Sequence, residues 1–355
     1  MEIWQALVLG IAQGLSEFLP VSSSGHLLLL EKLGIGQENL FFNVTLHVGT
    51  LFAVLLALRK TWIPLIAQPF FELAKKRKSP KKQPFSQKNR LFHNPTDKTT
   101  KTHLFKRGRK AENRSIENGA NRSISKSEIR NMAKGASPTS EDTRLAGDGT
   151  RLAVKGETEY EYQSVFGGLS ASKIDGFVVL ACVPTVAIAL VFKLLAPTLL
   201  EGKLLGCGFV LTAVLMYVGE NFKSTQSTLL THKTSILTGV LQGIAVLPGV
   251  SRSGATISIL SFLGVEKKTA TTFSFLLSIP IIVGSALYES LDLFLGKAPL
   301  SISPWAIVVG VFSSFLSGLF AIKFFLKLIE KHSLWGFVLY TLLLGICVSI
   351  LPFFI

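Results

Sequence analysis

The chain is expected to fold as an all-α integral membrane protein, with six transmembrane helices plus two re-entrant half-helix hairpins related as an inverted repeat. Three observations predict this. Apolar residues make up 48% of its 355 residues and the mean hydropathy is +0.45, although the middle of the chain is strongly polar. Several apolar runs approach the roughly 20 residues needed to cross a bilayer. Finally, the stretches GIAQGLSEFLPVSSSGH (Gly10 to His26) and GVLQGIAVLPGVSRSGA (Gly239 to Ala255) align without a gap, pairing Gly10 with Gly239, Gln13 with Gln242, Ser22 with Ser251, Ser24 with Ser253 and Gly25 with Gly254. In each, an apolar half-helix meets a Pro or Gly break, then a Ser-rich turn, then a second apolar half-helix, which is how membrane folds with internal repeats build a site at mid-membrane.

Taken in chain order, Ile3 to Leu19 and Gly25 to Leu33 are too short to span and read as the two arms of the first hairpin. Asn43 to Trp62 is the first full span. Ile174 to Ala196 and Leu204 to Glu220 follow the polar middle, and Ser235 to Leu247 with Gly254 to Leu263 form the second hairpin. Ala270 to Asp292, Pro304 to Phe324 and Leu334 to Pro352 complete the six. Unwound backbone at membrane depth is tolerated only where protein or a wet cavity covers it, so the two hairpins imply a pocket. The opening MEIWQALVLG has no basic n-region and runs directly into the first repeat, so it is expected to be a helix of the fold and not a leader.

The formal net charge of +15 resembles a nucleic-acid signature until it is mapped, for 23 of the 37 Lys and Arg lie between Lys75 and Lys173. That segment is rich in polar residues and lacks periodicity. The chain therefore divides into a first membrane segment (1–71), a basic insert (72–173) expected to be disordered and cytoplasmic, near anionic headgroups, and the remaining bundle (174–355). No nucleic-acid partner is expected. Arg59 with Lys60, Lys223 with Lys233, Lys267 with Lys268, and Lys323, Lys327 and Lys331 are assigned to the cytoplasmic side, against Lys32, Lys203 and Lys297 outside. The first hairpin then opens outward and the second inward. Cys182, Cys207 and Cys347 show no ligand spacing and are read as core packing.

The chemistry sits in the turns. Ser22, Ser23 or Ser24 can cap the half-helix that follows, and Ser251 or Ser253 can do the same in the second copy. Two helix N-termini meeting at mid-membrane, with Gly25 and Gly254 allowing close backbone approach, suit phosphate oxygens, and Arg252 adds a guanidinium fork. Ser22, Ser24, Gly25, Ser251, Ser253, Gly254, Thr256 and Gln13 are the candidate substrate-binding residues. An ionised side chain costs roughly 2.5–3.5 kcal/mol at the centre of a membrane helix, so Glu17 and Arg252 both need partners. They can pair with each other, or Glu17 can serve a hard divalent cation or act as a base. Ser23 aligns with Arg252 and is a candidate nucleophile, activated by Glu17 or His26; attack by a metal-bound water fits equally. His26 is a candidate acid–base group. Gln13 shares the face of Glu17, whereas Gln242 has structural duty. Asn43 and His47 share a face and either line the outer mouth or, as favoured, serve buried hydrogen bonding.

With GLSEFLPVSSSGH and PGVSRSGATIS in view, the chain resembles the undecaprenyl pyrophosphate phosphatases, the integral-membrane bacitracin-resistance family, over about Met1 to Trp62 and Ile174 to Ile355, including FSFLLSIP from Phe273 to Pro280. The resemblance implies removal of the terminal phosphate of undecaprenyl pyrophosphate at the outer, periplasmic face of the bacterial cytoplasmic (inner) membrane, recycling the lipid carrier for peptidoglycan. It places the family's acidic pair on Gln13 and Glu17, its catalytic serine on Ser23, its histidine on His26 and its phosphate-binding arginine on Arg252. It also implies Mg2+ or Ca2+, held by Glu17. Many relatives carry Glu where this chain has Gln13, which leaves Glu17 as the carboxylate of the pair. A lipid-phosphate transporter that does not hydrolyse its cargo is the alternative. Oligomeric state, a homodimer included, is left open.

Overall fold

Long runs of apolar residues unbroken by turn signals become helices wherever water cannot satisfy the backbone. The computed structural model describes residues 1–36, 39–65, 165–222, 229–294 and 302–350, and every regular element among them is helical. In order these are α1 (Ile3–Phe18), α2 (Ser23–Lys32), α3 (Leu40–Ala57), α4 (Arg59–Leu65), α5 (Ala171–Leu195), α6 (Pro197–Leu200), α7 (Leu205–Asn221), α8 (His232–Ile244), α9 (Arg252–Phe262), α10 (Lys267–Phe294), α11 (Pro304–Lys331) and α12 (Trp335–Ile350). They belong to one unit, Met1–Lys75 with Lys155–Ile355. Large apolar side chains are left exposed along the long helices, Leu194, Leu195, Trp305 and Phe320 among them, as a lipid-facing surface requires. This is a multi-pass membrane protein.

Three of the expected spans are helices long and apolar enough to cross a membrane: α5, the stretch Lys267–Tyr288 of α10, and α11. The first expected span, Asn43 to Trp62, is not straight. It bends by 85° between α3 and α4. Trp62 Nε1 reaches back over the break to donate to the Leu55 carbonyl at 2.7 Å, and Thr61 N donates to Leu58 O at 2.8 Å. Helices α7 and α12 are shorter, at 17 and 16 residues. They pack against each other through glycines: a methyl group on Gly206 would meet Ser349 and the Gly345 carbonyl, and one on Gly345 would meet Gly206 and Val210.

The duplicated motif has a structural counterpart. Gly10 of α1 lies against Gly310 and Ser313 of α11, while its partner position Gly239 of α8 lies against Ala181 and Pro184 of α5. The same hydrogen bond recurs at both places, with Ser317 Oγ donating to Gly10 O at 3.4 Å and Thr185 Oγ1 donating to Gly239 O at 2.9 Å. The first arm α1 thus rests on a long helix from far along the chain, and the first arm α8 on the long helix that precedes the second hairpin. Gln242 Nε2 donates to Thr185 Oγ1 at 3.1 Å, the structural duty expected of it. An aromatic core around Phe18, Phe273, Phe275 and Phe325 lies beneath the first hairpin, with Phe18 edge-on to Phe275 at 5.3 Å.

Two expectations need correcting. The described chain resumes at residue 165, with Val165 and Phe166 already buried and Val165 O accepting from Thr269 Oγ1, so the bundle begins before the expected end of the insert at Lys173. Residues 72–164 of the insert lie outside the described residues. Cys207 and Cys347 are free and exposed, so they do not pack a core, while Cys182 is free and half-buried. An outward-facing position in a membrane helix is as apolar as an inward one, and composition cannot tell the two apart.

The glycine contacts give a paired test. Gly239→Ala drives a methyl into the Ala181 carbonyl and is expected to destabilise the protein by about 1–3 kcal/mol. Gly176→Ala, with nothing within 4 Å, should be neutral or slightly stabilising. Thermal unfolding in detergent compares them.

Candidate active site

Both Ser-rich turns begin a helix with a serine cap. Ser22 precedes α2 and its Oγ accepts from Gly25 N at 3.3 Å; Ser251 precedes α9 and its Oγ accepts from Gly254 N at 3.0 Å. Sequence left three serines as caps of the first turn, and Ser22 is the one. It does so at φ +70°, the one non-glycine positive φ among the described residues, a conformation held in place only by its surroundings. The second turn places Gly249 at φ +88° instead, one residue after Pro248.

The turns are tied together and to α7. Ser253 Oγ donates to the Leu19 carbonyl of the first turn at 3.1 Å. Thr212 Oγ1 of α7 donates to Gly249 O at 3.0 Å and accepts from Ser251 N at 2.8 Å. A methyl group on Gly208 would collide with Pro248 O and Gly249, and one on Gly25 would collide with the Phe209 ring and crowd Gly249. Every one of these contacts satisfies or packs backbone that has left a helix.

This arrangement brings Glu17, at the end of α1, to the first residues of both second arms. Glu17 is 7% exposed. Its Oε2 accepts from Ser23 Oγ at 2.6 Å and from Gln13 Nε2 at 3.0 Å, and its Oε1 pairs with an Arg252 guanidinium nitrogen. Ser23 and Arg252, aligned in the repeat, are the first residues of α2 and α9 and converge on one carboxylate. The Glu17–Arg252 pairing that sequence held open as one alternative is formed. A guanidinium at a helix N-terminus stands against the helix dipole and needs an anion. Glu17 supplies that anion here.

The other candidate residues fall into two sets. Ser24 is exposed beside the cap, its Oγ 3.4 Å from Ser22 Oγ. Ser251, Ser253 and Gly254 are buried in the turn and build its shape. Thr256, expected at the substrate, instead points into the bundle: its Oγ1 bonds the Arg252 carbonyl at 2.9 Å and Ser274 Oγ at 2.6 Å. One turn along α9 from the cap, its direction is set by α10 and not by the turn. His26 does not touch Ser23 or Glu17. Its Nδ1 bonds Ser22 O at 2.7 Å, its Nε2 bonds Tyr340 Oη at 2.7 Å, and its ring meets the edge of Phe209.

His47 joins the site unforeseen. Its Nδ1–H donates to Asn43 O at 2.8 Å, as the shared face suggested, which turns Nε2 toward Glu17 Oε2 at 3.6 Å. Asn43 Nδ2 in turn donates to Glu31 Oε1 at 3.0 Å, linking α3 to α2. The spacing of Asn43 and His47 was visible in sequence; that α3 would face Glu17 was not.

Gln13 Oε1 is buried with no hydrogen-bond partner, on the same amide whose Nε2 donates to the Glu17 carboxylate. An amide oxygen left open next to a carboxylate is an oxygen-only donor set of the kind hard divalent cations take. Among the described residues no three His, Cys, Asp or Glu side chains gather as a metal cluster.

Fold and site together define an integral-membrane protein whose polar centre is made from two broken-helix turns facing each other. The chain belongs to the bacitracin resistance protein BacA family, which matches residues 6–93 and 126–347. It is 31% identical to an undecaprenyl-diphosphatase of Desulfosudis oleivorans, over 97% of both chains. It is 28% identical to one of Carboxydothermus hydrogenoformans, over 99% of this chain and 98% of that one, and 29% identical to one of Alkaliphilus metalliredigens, over 97% of both.

Two outcomes test this geometry. Ser22→Ala removes the cap and keeps the unfavourable φ, and should cost about 1 kcal/mol. Ser22→Gly loses the same cap but relaxes the backbone and should be close to neutral by the same denaturation measurement. Glu17→Ala and Arg252→Ala each strand a buried charge and should cost about 3–5 kcal/mol, whereas the double variant should cost clearly less than their sum. Additive losses would mean that the pair is not coupled.

Proposed function

We propose that this chain hydrolyses undecaprenyl pyrophosphate to undecaprenyl phosphate and inorganic phosphate, returning the lipid carrier to peptidoglycan synthesis and thereby conferring bacitracin resistance. The observation that carries the reading is the convergence of Ser23, Arg252 and two capped helix N-termini on Glu17. The enzyme works in the bacterial cytoplasmic membrane with its site open to the outer side, in a bundle of six spanning helices and two re-entrant hairpins. The first hairpin mouth and the basic-residue distribution support that orientation.

The roles follow from the contacts. Backbone N–H groups at the starts of α2 and α9 and the Arg252 fork bind the diphosphate oxygens, the substrate taking over the anionic role that Glu17 plays toward Arg252. Ser23 Oγ already donates to Glu17 Oε2, so Glu17 accepts the hydroxyl proton as Ser23 attacks the terminal phosphorus. The Ser23–phosphorus bond forms, the bridging oxygen bond breaks, and the lipid monophosphate departs; water then cleaves the phosphoserine. Glu17 and Gln13 Oε1 would hold Mg2+ or Ca2+, which when bound neutralises phosphate charge as a Lewis acid. Positioning and electrostatics supply most of the acceleration, as in phosphoryl transfer generally.

Purified protein given undecaprenyl pyrophosphate and Mg2+ is expected to release phosphate, to stop when the cation is chelated, and to recover on its return. Ser23→Ala and Arg252→Ala should each lower kcat by about a hundredfold or more while leaving thermal stability measurable. Release undiminished in both variants refutes the site, and lipid movement across vesicles without release selects the transporter.

A further inference from the structure

Histidine 26 has no free ring nitrogen. A backbone carbonyl can only accept, so the 2.7 Å contact of Nδ1 with Ser22 O makes Nδ1 the N–H. Nε2 is left to exchange protons, and it is closed by the Tyr340 hydroxyl at 2.7 Å. The ring is also fixed in place. Phe209 of α7 meets it edge-on at 5.5 Å, and the Tyr340 ring lies nearly parallel to it, 12° off at 5.8 Å between centroids. Rotation that freed Nε2 would break the Ser22 bond and drive the ring into Phe209. Tyr340 itself is half exposed.

We infer that Tyr340, from the last helix of the bundle, is a further catalytic residue: the phenol is the group through which His26 exchanges a proton with the phosphate held at the turn. The proposal rests on the hydrolase reading above. As water attacks the phosphoserine formed at the turn, Tyr340 Oη takes a proton from that water. Tyr340 Oη–H passes its own proton to His26 Nε2, already its acceptor at 2.7 Å, and Nδ1–H stays on Ser22 O throughout. One proton leaves water, one reaches His26, and tyrosine ends as it began. The imidazolium then returns its proton through the same hydroxyl to the released phosphate. Glu17 and Ser23 keep the separate task of forming the new bond, so the two proton transfers do not compete for one carboxylate.

The test is a double-mutant cycle on phosphate release with undecaprenyl pyrophosphate, read as kcat and KM separately. His26→Ala and Tyr340→Phe are each expected to lower kcat by about a hundredfold with little change in KM, and the double variant to be no slower than the worse single. The solvent deuterium isotope effect on kcat, which a packing role leaves alone, should shrink in Tyr340→Phe. Tyr340→Phe keeping kcat within about twofold of the unmodified chain, His26→Ala doing the same, or losses that multiply in the double variant would each overturn the relay. Side-chain 15N spectra of His26 in detergent supply a readout that needs no turnover. The Nε2 resonance should report an accepted hydrogen bond that disappears in Tyr340→Phe, and an unchanged resonance overturns the contact itself. If the unmodified chain releases no phosphate, the hydrolase reading fails while the spectrum still tests the His26–Tyr340 bond.

Discussion

Backbone that leaves a helix inside a bilayer has no water to bond, and this one constraint organises the structure. The two turns meet its demands by serving each other and α7. Leu19 O takes a hydrogen bond from Ser253, Gly249 O from Thr212, and the cap of each second arm comes from its own serine. Once the turns are pressed together for that reason, the first residues of α2 and α9 must lie beside the end of α1. Glu17, Ser23 and Arg252 are neighbours because the peptide groups around them had to be.

The repeat then divides its labour. The backbone devices are duplicated, with Gly10 and Gly239 accepting equivalent hydrogen bonds and Ser22 and Ser251 capping equivalent helices. The chemical groups are not duplicated. Position by position, Ser23 faces Arg252 in the alignment, Glu17 faces Val246 and His26 faces Ala255. A symmetric pair of turns provides two N-termini for one anion, and the asymmetry of the side chains provides an acid, a hydroxyl and a cation that a symmetric site could not hold together.

Much of this was legible in the residues because the turns are local. Pro, Gly and Ser at fixed offsets specify a break and a cap, and a lone Glu and Arg in apolar surroundings demand partners. What escaped was set by distant chain. The bend after Ala57 falls just before Arg59 and Lys60, a basic pair that was read only as marking the cytoplasmic end of a straight span. His47 and Tyr340 reach the site from α3 and α12, and no spacing within either helix says which neighbour it will face. Thr256 misled because it sits beside the turn in sequence while α10 draws its hydroxyl inward. Cys207 and Cys347 misled because lipid accepts the same side chains as a core.

The seat of α1 bears on how the molecule is made. Because α1 rests on α11, the glycine-lined flank of α1 has no proper seat until α11, far later in the chain, has been synthesised. Membrane insertion and final assembly are therefore separated in time. The early helices must wait in the lipid with polar Gln13 and Glu17 unsheltered, and a chain released before α11 is complete would be inserted yet unable to close.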